Sequence, residues 1–138
     1  MSMNNPYSQY SLNQINTATP GKLLIMTFDA AIRFARTAAV TMKEHKLYEQ
    51  NENIKKIQNI LLDLISTLNP QVDSQLAANL SSIYSYMFDR LTHANMRDDI
   101  TALNEVIEML KELRTTWADA ELIVRSGESE TILEAKAA

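Results

Sequence analysis

The chain has 138 residues, 13 basic against 17 acidic side chains for a formal charge of −4, and no cysteine. That length suits one domain and allows a single core burying roughly 65–70% of the surface the unfolded chain exposes. The lack of cysteine excludes disulfides and thiolate metal sites, and fits a reducing compartment. Charges of both signs are spread along the chain, with no basic face for nucleic acid. No apolar run approaches the ~20 residues of a bilayer span, so membrane insertion is not expected. Residues Met1 to Tyr10 are polar and lack the basic start and apolar stretch of a signal peptide. The expected location is the cytoplasm.

Two glycines, three prolines and 46% apolar residues predict long helices. Residues 1–18, rich in Asn, Gln, Ser and Tyr, lack helical periodicity and read as an extended capping segment. Thr19-Pro20 reads as a helix start, with a capping hydroxyl followed by the residue best suited to the first helical position. The capping box is incomplete, because Lys22 stands where a glutamate would reach back.

A seam of Leu24, Phe28, Ala31, Ala35, Ala38 and Met42 alternates steps of four and three, the mark of an amphipathic helix. After a polar break at His45-Lys46, the second helix carries Ile54, Ile57, Leu61, Leu64 and Leu68, and is predicted to stop at Asn69-Pro70. Leu76, Leu80, Ile83, Met87, Leu91 and Ala94 mark the third, with Tyr84 and Phe88 on an adjoining face. Asp98 or Asp99 can cap the fourth, whose seam is Val106, Leu110, Leu113, Trp117, Ala120 and Val124. Gly127 is expected to close it, leaving 127–138 as a tail. Short connections between such helices imply an all-α, antiparallel up-down four-helix bundle over 19–126.

Catalytic signatures are missing. Neither His45 nor His93 has a glutamate three residues earlier, as a di-metal bundle requires, and no phosphate loop or nucleophile elbow occurs. Both histidines read as solvated or capping residues, and Asp98-Asp99 as a helix start. No cofactor and no enzyme activity are expected.

Two features exceed a minimal bundle. Apolar stripes on the second and third helices are wide, which suits either central helices or a surface for a partner's amphipathic helix. Tyr7 and Tyr10 stand in a polar segment and can anchor it on an apolar surface with their hydroxyls wet. These features give Tyr7, Tyr10, Ile57, Leu61, Leu64, Tyr84, Met87, Phe88 and Leu91 as candidate partner-binding residues, and Asn95, in the polar turn after the third helix, completes the candidate set. The alternative is a structural bundle whose spare apolar surface joins copies of itself.

An ordered set of fragments resembles the FliS flagellar export chaperones: Asn5-Pro6-Tyr7 with Tyr10, Asn16 to Gly21, Ile83 to Met87 with Arg90-Leu91, Ala94-Asn95, Asp98-Asp99, and Leu113 to Trp117. The departures are Lys22 for a frequent acid, Ala30 for a common glycine and Ser85 for a common aspartate. The resemblance implies a chaperone that binds the disordered C-terminal segment of flagellin as helices, prevents early polymerisation and passes the complex to the flagellar export gate. It also implies that the segment bearing Tyr7 and Tyr10 covers part of the site when flagellin is absent.

Overall fold

The computed structural model describes the backbone of residues 19–137 and the side chains of residues 19–127. The expected capping segment, with Tyr7 and Tyr10, lies outside the described residues. Four helices follow in order: α1 Pro20–Lys43, α2 Leu47–Ser66, α3 Ser74–Arg97 and α4 Ile100–Ala137. Each packs on its neighbour in sequence, and α4 closes the ring against α1. This is the all-α up-down bundle that the apolar periodicity predicts.

Local chemistry sets the helix ends. The Thr19 hydroxyl accepts the Lys22 amide at 3.2 Å, and Pro20 occupies the first turn. Asp73 Oδ1 accepts the Leu76 amide at 3.0 Å to open α3, and Asp99 Oδ1 accepts that of Ala102 at 3.1 Å to open α4. The α1–α2 and α3–α4 turns pass through His45 (φ 58°) and Asp98 (φ 51°), left-handed positions that His and Asp tolerate better than most residues. Each is locked by a reach-back bond, Lys46 N–H to Thr41 O at 2.9 Å and Asp99 N–H to Ala94 O at 3.0 Å.

Two boundaries differ from expectation. Helix α2 ends at Ser66, before Asn69-Pro70, because Thr67 turns its hydroxyl back onto the Leu64 carbonyl at 2.8 Å. Gly127 does not close α4, which continues to Ala137. Its φ is not positive, and the following residues include the strong helix formers Glu, Leu, Ala and Lys, which offset one glycine. The expected tail is helix.

The core lies between the helices from Phe28 to Leu110, centred on Phe28, Ile54, Ile57, Leu61, Met87, Leu91, Leu103 and Leu110. Helix α4, at 38 residues, is about 57 Å long at ~1.5 Å per residue, whereas α1, at 24, is about 36 Å. Glu121 of α4 stands beside Gly21 of α1, so α4 beyond Glu121 runs past the start of α1. Leu122, Ile123 and Val124 are accordingly exposed.

Candidate partner-binding site

The two ends of the bundle differ chemically. At the end of the α1–α2 and α3–α4 turns, Gln50 is only 1% exposed. Its Nε2 donates to Asn95 Oδ1 at 3.1 Å and to Asp98 Oδ1 at 2.9 Å. Asn95 Nδ2 in turn donates to Asn51 Oδ1 at 2.9 Å. This polar network ties α2 to the end of α3 and closes that end. Beside it, His93 Nε2 lies 3.1 Å from Asp99 Oδ2. The Ala102 amide, and after it His93, hold the Asp99 carboxyl below the usual carboxylate range.

Among the described residues, the opposite end is apolar and open. Here α1 begins, α2 passes into α3, and α4 runs by. A pocket of ≈ 310 Å³ lies among Leu24, Leu68, Val72, Leu76, Leu80 and Trp117, with Leu64 and Tyr84 in its wall. Val72 is 83% exposed and Leu76 47%, so the rim meets solvent as apolar surface. Thr67, Asn69 and Asp73 add a polar edge.

The pocket arises because seam residues at a helix end lack a full set of facing neighbours. In the wall, burial pushes the Tyr84 hydroxyl above the ordinary phenol range, and the adjacent Trp117 indole pulls it back. That indole N–H is itself buried and makes no hydrogen bond of full geometry.

The sequence candidates divide sharply. Ile57, Leu61, Met87 and Leu91 are 0% exposed and form the bundle's own core. Four packed helices consume the centre of each stripe, leaving only its flanks and ends open. Leu64 and Tyr84 are nearly buried yet line the pocket. Phe88 is half-buried on the outside of the core, and Asn95 belongs to the polar network rather than to an apolar surface. Val72 carried no periodic signal, because it lies in the α2–α3 turn, and it was missed. Leu24, Leu68, Leu76 and Trp117, seam residues by their spacing, line the pocket as well.

Elsewhere the polar surface is cross-linked. Arg114 Nε reaches Asp29 Oδ1 across α1 and α4 at 2.9 Å. Tyr86 donates to Glu105, which also lies 3.4 Å from Arg90, and that carboxylate bond raises the Tyr86 pKa. Among the described residues no group of acids and histidines is placed to hold a metal, and no helix is long and apolar enough to cross a membrane.

Fold and pocket together define the class: an antiparallel four-helix bundle with one hydrogen-bonded end and one open apolar end. Residues 3–123 match the family model described as flagellar protein FliS. The chain is 38% identical over 120 residues to the flagellar secretion chaperone FliS of Bacillus subtilis (strain 168), covering 87% of this chain and 89% of that one. It is 31% identical over 113 residues to the protein of the same name from Salmonella typhimurium, covering 80% and 84%. A solved flagellar chaperone from bacteria superposes with a TM-score of 0.69 at 19% identity, over 83% of this chain and 97% of that one, and so shares the fold. The chain belongs to the FliS family.

Proposed function

We propose that this chain is a cytoplasmic flagellar export chaperone that holds the C-terminal segment of flagellin as helices, with the open apolar end as an anchor point. Family membership supports the class of function, since the relatives are flagellar secretion chaperones. The observation that carries the reading is the pocket whose rim, Val72 and Leu76, presents apolar surface to water. Exposed apolar patches of this kind mark interaction sites. An unfolded amphipathic segment would fold on it, burying on the order of 1,000–3,000 Å² and losing ~2–5 kcal/mol of the gross energy to ordering. While bound, the segment cannot pair with other flagellins, and the complex is passed to the export gate. In this reading Tyr7 and Tyr10 cover part of the surface until flagellin arrives, and no step is catalytic.

Titration calorimetry with a flagellin C-terminal peptide tests the proposal. Binding is expected in the micromolar range or tighter, and Leu76→Asp is expected to weaken it at least about tenfold, ~1.4 kcal/mol. A folded protein with no heat of binding at tens of micromolar peptide overturns the reading.

A second reading rests on the exposed Leu122, Ile123 and Val124, which could join two copies of the chain. A concentration-dependent dimer in sedimentation, abolished by Ile123→Lys and indifferent to flagellin, is its signature.

A further inference from the structure

The carboxylate of Glu121, four residues along α4 from Trp117, reaches across to the first turn of α1. Its Oε1 accepts the Thr19 hydroxyl at 3.0 Å, and Arg125 Nε stands 3.6 Å from the same oxygen. Its Oε2 occupies the place where a side chain at position 21 would begin, since a Cβ on Gly21 would fall 1.9 Å from it. The Glu121 side chain is 17% exposed.

This arrangement answers a gap in the helix itself. The first turn of α1 carries no acidic residue, and Lys22 stands where a capping box would place glutamate. The negative charge that favours a helix start is supplied by a different helix. Gly21 is required here by space, because its φ is not positive.

The consequence falls on the pocket. Leu24, three residues on from Gly21, and Trp117 both line it, from α1 and α4 respectively. We propose that Glu121 is a positioning residue for the pocket, clamping the turn of α1 that bears Leu24 against the turn of α4 that bears Trp117. The functional weight of this clamp rests on the pocket being the partner site, but the clamp can be tested without a partner.

Trp117 is the sole tryptophan of the chain, so its emission reports the pocket wall directly. Loosening the clamp by Glu121→Ala is expected to red-shift that emission and raise its acrylamide quenching constant at least about twofold, as for a locally opened site. Gly21→Ala is expected to do the same, because the new methyl group evicts the carboxylate. The double variant should add nothing further. Glu121→Gln keeps an oxygen for Thr19 and should fall between wild type and alanine.

Unchanged quenching in both single variants, with full helix content by circular dichroism, overturns the proposal, and so do additive effects in the double variant. Should Glu121→Ala unfold, Gly21→Ala still reads the clamp with every charged partner present. A flagellin peptide that fails to bind the wild type, beside a clear response of Trp117, would reject the pocket as partner site while upholding the clamp.

Discussion

Leu61 sits at the centre of the core with no exposed surface, and Leu61→Ala removes buried volume that its neighbours cannot refill. The expected cost is about 2–5 kcal/mol, read from the chemical denaturation midpoint. Leu76 is half-exposed on the pocket rim, near the start of α3 where a negative charge is favoured. Leu76→Asp should therefore change stability by less than about 1 kcal/mol while weakening the flagellin peptide. Asn95 links Gln50 to Asn51, so Asn95→Ala should cost about 1–3 kcal/mol and leave peptide affinity unchanged. These contrasts separate residues that hold the bundle from residues that meet a partner.

Asp99 gives the same scale a pH dependence. Its carboxyl titrates below the usual range, so its contribution is fully present above the unfolded value and is lost as pH falls through the lower folded one. Melting temperature should fall on acidification from about pH 5 toward 3, and Asp99→Asn should flatten that fall. An equal acid slope in the two proteins would assign the loss to other carboxylates.

At the scale of the element, α4 holds the clearest departure from expectation. Gly127 looked like a stop because glycine is the usual residue past a helix end, yet that role needs a left-handed turn and a chain that leaves the axis. Here the helix runs on to Ala137, and a Cβ at Gly127 would meet nothing within 4 Å. Gly127→Ala should strengthen α4 locally by about 1 kcal/mol, seen as slower amide exchange over its last turns.

In α3 the seam was displaced by one position at its middle. Ile83 was expected inward, but Tyr84 is the buried residue, with Ala77 and Leu80 before it and Met87, Leu91 and Ala94 after it. Tyr84 combines an aromatic ring that fills the core with a hydroxyl beside the Trp117 indole, and periodicity alone ranks it no higher than Ile83.

For the whole molecule, the two ends differ in chemistry. A polar network closes one end, and the other leaves apolar side chains in contact with water. Among the described residues, the buried core cluster runs from Phe28 to Leu110. A protein lacking residues 1–18 should therefore keep its helix content and its cooperative unfolding, and should bind more of an apolar dye if those residues cover the pocket. Unchanged dye binding would remove that covering role. Because every neighbouring helix pair but the closing one is adjacent in sequence, folding is expected to be fast.

The sequence by itself determined the helices, the Thr19 cap, the Asp98-Asp99 helix start, the up-down order and most of the core, because apolar spacing and helix-end chemistry act over a few residues. It could not tell Leu61 from Leu76: both are leucines on an apolar stripe, and only packing decides which is enclosed. Nor could it place Val72 at a pocket rim or Glu121 over Gly21, since both follow from helices meeting across long stretches of chain. Four stripes must first be consumed against one another. What remains at the open end is a property of the assembled bundle.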